Sequence, residues 1–204
     1  MPEGFLVLLS GPSGSGKSTI CRKLRQRDRS LKYSISCTTR PQRPSEREGK
    51  DYFFVSAAKF RRLNSNGAFL ESAVVHGHHY GTPKTNIEKH IRQGDVVLLD
   101  IDVIGAEIIR RKRGSRDVSI FLLPPTLNAL RERLRKRRDT QDTMQERLAN
   151  ARQEFKHTQK YTYWVVNDSL QTAVKQIEGI IAAERLKPSR HALTGTRLAK
   201  LVRN

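Results

Sequence analysis

The chain has 204 residues, 36% of them hydrophobic, and a formal net charge of +19. This length fits one domain with a sizeable core, and the longest apolar runs are far too short to cross a bilayer. Met1-Pro2-Glu3 lacks the basic opening and apolar stretch of a secretory signal, and Cys21 and Cys37 form neither a metal-type spacing nor a disulfide framework, so a reduced cytoplasmic setting without membrane contact is expected.

In chain order, Phe5–Ser10 is an apolar run that predicts a buried strand. It leads into Gly11-Pro12-Ser13-Gly14-Ser15-Gly16-Lys17-Ser18-Thr19, which fits the phosphate-cradling pattern G-x-x-x-x-G-K-[ST]. A helix is predicted over Lys17–Arg27. Strand, glycine turn and helix together aim backbone N–H groups at a polyphosphate such as ATP. Lys17 can reach the β- and γ-phosphates, and Ser18 offers a hydroxyl to Mg²⁺. Further strands are predicted at Tyr33–Ser36, Asp51–Val55, Val96–Asp100, Val118–Leu123 and Trp164–Asn167. Helices are predicted at Ala57–Asn64, Lys84–Arg92, Ile104–Arg111, Thr126–Lys136, Thr143–Thr158 and Leu170–Ala183. Strands alternating with helices, with near-continuous aliphatic runs in three of the strands, imply an α/β fold with a doubly wound parallel sheet.

Residues 33–93 hold short strands, aromatics and turn residues, and read as an inserted lobe. Residues 131–160 are charged and helical, and read as a mobile lid over the phosphates. The domain then spans 1–184, its core being 4–32, 94–130 and 161–184. Residues 185–204 form a tail with six basic residues and no acid, leaving +13 on the first 184 residues. Composition favours a solvated tail over a short amphipathic one. Much of the remaining surplus lies in 110–116 and 131–138. No RNA-recognition signature, zinc-finger spacing or zipper heptad accompanies it, so steering of anionic substrates is expected instead of specific nucleic-acid binding.

Arg40 and Arg43, stiffened by Pro41 and Pro44, make a grip for a dianionic phosphate. Tyr52 and Tyr80 add phenolic hydroxyls. Glu71 stands alone in Phe69-Leu70-Glu71, and an ionised carboxylate there accepts both donors on guanine's edge while repelling adenine's bare N1. Ser36 or Thr82 can donate to guanine O6. Asp100 and Asp102 close a central strand, beside the crevice where nucleotides bind. They are open to an outer-shell contact with Mg²⁺, to the acceptor side, or, for Asp102, to capping the next helix. His76, His78 and His79 are expected as solvated loop residues, not a metal site, and Cys37 as a small buried filler.

These motifs together resemble guanylate kinases from about Gly4 to Ala183: the phosphate loop, S-x-x-T-T-R-x-x-R-x-x-E, G-K-D-Y, F-L-E, Y-G-T and L-D-I-D. The resemblance implies transfer of the γ-phosphate of ATP to GMP or dGMP, with Mg²⁺. It implies that Ser36, Arg40, Arg43, Glu46, Tyr52, Glu71, Tyr80 and Thr82 surround GMP, with Asp100 and Asp102 favoured on the acceptor side. It implies lid arginines at Arg137 and Arg147. The spacing between them is one residue shorter than the family's, which leaves Arg138 open in place of Arg137, with Arg133 and Arg152 as further alternatives. Asn167 and Asp168 fall where the family approaches adenine. Monomer and homo-oligomer both remain open.

Overall fold

The structure is a computed structural model describing residues 3–75, 77–135 and 144–191. Five parallel strands form the central sheet: β1 (Phe5–Ser10), β2 (Lys32–Tyr33), β7 (Val96–Asp100), β8 (Val118–Leu123) and β9 (Tyr163–Val166), in the order β2-β7-β1-β8-β9. Both faces are covered, which is why β1, β7 and β8 read as unbroken aliphatic runs. Phe5, Val7 and Leu9 pack on one side with Ile20 and Leu24 of α1 (Lys17–Arg27) and Val174 and Ile177 of α7 (Leu170–Arg185). Leu6 and Leu8 pack on the other side with Ile87 of α3 (Lys84–Arg92) and Ala106 and Ile109 of α4 (Val103–Arg113). Among the described residues, no helix is long and apolar enough to cross a membrane.

The segment after β2 leaves this sheet. Tyr33–Ser36 is not one strand: β2 ends at Tyr33, and β3 (Cys37–Thr38) belongs to a second sheet with β4 (Phe53–Phe54), β5 (Phe69–Val75) and β6 (His78–Pro83), in the order β4-β3-β6-β5. β5 and β6 form an antiparallel hairpin with an irregularity between Phe69 and Glu71. Phe69 stacks on Phe60 of α2 (Ala57–Ser65) at 4.8 Å between centroids. A Cβ at Gly81 would lie 2.9 Å from the Phe69 ring, so glycine is what lets β6 pass beneath it. His78 and His79 lie in β6 and not in a loop, with His79 stacked on Phe60 at 5.2 Å; His76 lies outside the described residues.

Two further helices, α5 (Leu127–Arg135) and α6 (Met144–Phe155), pack through Leu130, Leu134 and Ala151. Among the described residues after α7, Pro188–Arg190 forms a 3-10 turn. Arg190 is buried there, its guanidinium 3.8 Å from the centre of the Phe5 ring and 2.9 Å from Glu184. Residues 185–191, within the region read as a solvated tail, thus pack against the core.

Candidate active site

β1 ends in the glycine-rich loop, and three glycines there have positive φ: Gly11 (138°), Gly14 (86°) and Gly16 (102°). L-residues other than glycine rarely adopt these angles. Space is equally short, since a Cβ on Gly11 would sit 2.4 Å from the Leu122 carbonyl and one on Gly16 2.4 Å from the Asn167 amide. Gly16 precedes α1 without any side-chain cap, and no acidic residue occupies the first turn. The N–H groups of that turn are therefore presented to an external anion. Lys17 Nζ donates to the Gly11 carbonyl at 2.6 Å and to that of Pro12 at 3.3 Å, so the ammonium lies back over the loop.

The loop is braced from behind by residues outside the motif. Asn167, buried just after β9, donates from Nδ2 to the Ser15 carbonyl at 2.7 Å. Arg133 of α5 donates to the Ser15 carbonyl at 3.4 Å and to the Asn167 carbonyl at 2.9 Å. The sequence singled out both residues for contacts with nucleotide; here their polar groups hold the loop. Arg147 is buried in α6 and donates to the Leu134 carbonyl at 3.2 Å, tying the two helices together. Arg137 and Arg138 lie outside the described residues.

In the second sheet, β3 and β6 bring a cationic cluster together. Arg40 donates from Nε to the Tyr80 hydroxyl at 3.2 Å and from Nη2 to both Glu46 oxygens at 2.8 and 3.0 Å. Its guanidinium faces the Tyr52 ring at 5.5 Å, and Tyr52 meets Tyr80 edge-on at 6.0 Å. Glu46 also accepts the Arg43 backbone N–H at 3.0 Å and lies 3.5 Å from its guanidinium. Glu46 is thus engaged in fixing both arginines. Burial, with Asp100 adding to it, raises the Tyr52 phenol above its ordinary range and keeps its proton on as a donor. Ser36 lies between β2 and β3, its carbonyl accepting from the Phe53 N–H at 2.9 Å.

Glu71 and Thr82 face each other across the hairpin, both buried, and the Thr82 hydroxyl donates to Glu71 Oε1 at 2.5 Å. Burial is the main cause that lifts Glu71 to about 7. The Thr82 hydroxyl and Lys112 oppose that rise, while Asp102 adds to it. The other carboxylate oxygen lies against α4: a Cβ on Gly105 would be 2.9 Å from Glu71 Oε2. Asp102 caps α4, Oδ1 accepting from Ile104 N–H at 2.8 Å and Gly105 N–H at 3.0 Å. Asp100, half-buried at the end of β7, pairs in register with Leu9 of β1, one residue before Ser10 and the loop. Cys21 and Cys37 are buried free thiols whose pKa values burial pushes up, as suits packing residues.

One residue in this region escaped the sequence reading. The carboxylate of Glu154, near the end of α6, lies in the field of Lys17; burial raises it to about 7, with Lys17 opposing and Asp102 adding. A usable signal existed: Glu154 follows the buried Arg147 and Ala151 at the helical spacing i, i+4, i+7.

Residues 4–184 match the family described as guanylate kinase. Curated relatives include the guanylate kinase of Rhizobium etli, 46% identical over 189 residues, 92% of this chain and 86% of that protein. That of Carboxydothermus hydrogenoformans is 42% identical, with 93% of each chain covered. The crystal structure of guanylate kinase from Anaplasma phagocytophilum overlays with a TM-score of 0.80 at 36% identity, covering 97% of this chain and 93% of that one. A glycine-rich loop at the end of the central strand and a second sheet with a buried carboxylate thus occur in a chain that aligns almost end to end with these enzymes, and it belongs to the guanylate kinase family.

Proposed function

We propose that this chain moves the γ-phosphate of ATP directly onto GMP or dGMP, releasing ADP and the nucleoside diphosphate. The observation that carries the acceptor's identity is the buried Glu71–Thr82 pair. An ionised Glu71 accepts guanine N1–H and the exocyclic amine, and Thr82 or Ser36 donates to O6. A base that fails to match leaves buried polar groups unpaired, which supports discrimination of roughly 10⁴-fold or more. Arg40, Arg43, Tyr52 and Tyr80 take the acceptor phosphate, and Glu46 holds the two arginines in place for it.

A phosphate oxygen of GMP attacks the γ-phosphorus as the bond to the β,γ-bridging oxygen breaks, so no enzyme nucleophile is required. Lys17 exchanges the Gly11 and Pro12 carbonyls for the β- and γ-phosphates. Arg137 (or Arg138) and Arg147 neutralise charge on the moving group in the closed lid. Arg147 then gives up the Leu134 carbonyl seen here. Magnesium suits the available donors, since the hydroxyl of the exposed Ser18 and the carboxylates of Asp100 and Asp102 are hard oxygen ligands. When bound, the ion offsets charge on the β- and γ-phosphates.

The test is ADP production at saturating Mg-ATP with GMP, dGMP, AMP or UMP. Turnover is expected with the guanine nucleotides only, and equal turnover with AMP would overturn the assignment. Lys17→Ala should abolish turnover while leaving GMP binding intact in an equilibrium titration.

A further inference from the structure

The basic run that ends α4 reads in the sequence as surplus charge, yet in the fold its members have separate tasks. Arg110 donates to the Lys160 carbonyl, Arg111 pairs with Glu107, and Arg113 pairs with Asp117. Lys112 turns toward the second sheet. From an exposed position on the helix, its ammonium donates to the Leu70 carbonyl of β5 at 2.8 Å.

Leu70 is where β5 departs from a regular ladder. Phe69 lies opposite Pro83 and Glu71 lies opposite Thr82, so Leu70 is an extra residue with no counterpart on β6. Such a bulge re-aims the side chains around it. Neighbours in a regular strand point to opposite faces. Here both turn toward α4: Leu70 lies in the apolar cluster with Ala106 and Ile109, and Glu71 Oε2 lies against Gly105. Pro83 has no N–H to offer at this point. A donor comes from α4 instead, and a charged donor makes one of the stronger hydrogen bonds. Lys112 stands seven residues after Gly105 and so on the same face of the helix. One helix face therefore meets both the carboxylate and the bulge that directs it.

We propose that Lys112 is a positioning residue for base recognition: by holding the Leu70 carbonyl it fixes the bulge that aims the Glu71 carboxylate, and so raises GMP affinity without touching the nucleotide. This rests on reading Glu71 as the acceptor of guanine's donors. The ammonium has a second effect of the same sign, since its field favours the ionised carboxylate against burial. ATP, which the proposed reaction places on the loop after β1 of the central sheet, is exempt.

The test measures GMP and ATP affinity by calorimetry in the wild-type chain, Lys112→Met, Lys112→Arg, Glu71→Gln and the double variant of Lys112→Met with Glu71→Gln. Methionine keeps the apolar stem and removes donor and charge; arginine keeps both. GMP is expected to bind about tenfold more weakly to Lys112→Met, and Lys112→Arg to return within about threefold of the wild type. ATP affinity should stay within about twofold throughout, which also reports that the variants are folded. In the Glu71→Gln background, the methionine should cost less than about twofold in GMP affinity, because a residue that acts through Glu71 has nothing left to act on. A lysine that merely stabilises the fold would weaken GMP binding equally in both backgrounds. That result would overturn the proposal, as would unchanged GMP affinity in Lys112→Met or a matching loss of ATP affinity. If Glu71→Gln itself binds GMP as tightly as the wild type, the guanine reading fails and takes the proposal with it, whereas a loss there with none in Lys112→Met sinks the lysine's role alone.

Discussion

Glu71 should make GMP affinity depend on pH. In the free enzyme its carboxyl titrates near 7 because it is buried, with Asp102 adding to the effect. Guanine offers two donors, so only the ionised form binds it. At pH 8 about nine-tenths of the molecules are ionised, and at pH 6 about one-tenth, so apparent GMP affinity should weaken about tenfold across that range. GMP's own phosphate also titrates near 6, so the comparison is made against Glu71→Gln, which retains that effect and loses the carboxyl. The variant sets an amide donor against a guanine donor and forfeits charge-assisted bonds, a loss of about 3 kcal/mol or over 100-fold in affinity. Stability should move the other way. A folded-state pKa raised from 4.5 to about 7 means the contribution is fully present below pH 4.5 and is lost as pH rises through 7. At pH 8 the ligand-free glutamine variant should therefore be up to about 3 kcal/mol more stable to urea than the wild type. Calorimetric GMP titrations from pH 6 to 8 and urea curves on both proteins measure this. Parallel pH slopes in the two proteins would refute the argument, as would an equal loss of GMP and ATP affinity.

Gly105→Ala should act on the same carboxylate from the helix side, since its Cβ would lie 2.9 Å from Glu71 Oε2 and 2.8 Å from the Ile101 side chain. About a tenfold rise in KM for GMP is expected in steady-state assays, with KM for ATP little changed, at a cost of about 1–3 kcal/mol in stability. Asn167→Ala removes the 2.7 Å bond to the Ser15 carbonyl, leaving Arg133 as its remaining brace. KM for ATP should rise severalfold and urea stability fall by about 1 kcal/mol. Arg190→Ala strips Glu184 of one buried cation, although Lys187 stays 2.7 Å away, and uncovers Phe5. A loss of about 2 kcal/mol is expected in urea unfolding, with kcat/KM of the folded enzyme unchanged.

How much of this was legible in the sequence follows from where each residue's environment is decided. β1, β7, β8, α1 and α3 have the bounds that their residue patterns predict, because a strand buried on both faces must be aliphatic throughout. The tight glycine-rich turn after β1 was equally plain, since its glycines answer to backbone geometry within the motif. The β5–β6 hairpin was not: Glu71 sits at an irregularity inside it, and Gly77, His78 and His79 read as loop. The break between β2 and β3 is invisible locally, because nothing in Ser34–Ser36 says that two sheets share the chain. Asn167 and Arg133 carry ordinary polar side chains, and only the placement of β9 and α5 against the loop gives them partners. Arg190 looks like one more basic tail residue until Phe5 and Glu184 are placed beneath it.

The two carboxylates lifted to about 7, Glu71 and Glu154, both lie in the field of Asp102, the residue that caps α4. Each is costly in the ligand-free fold while ionised, but only Glu71 is fully buried, and in the proposed reaction guanine brings it donors beyond the Thr82 hydroxyl. The aliphatic layers on both faces of β1 and β7 give the fold enough stability to carry both. It follows that neutralising Glu71 should cost function and gain stability, whereas neutralising the partly exposed Glu154 should change stability less in urea unfolding.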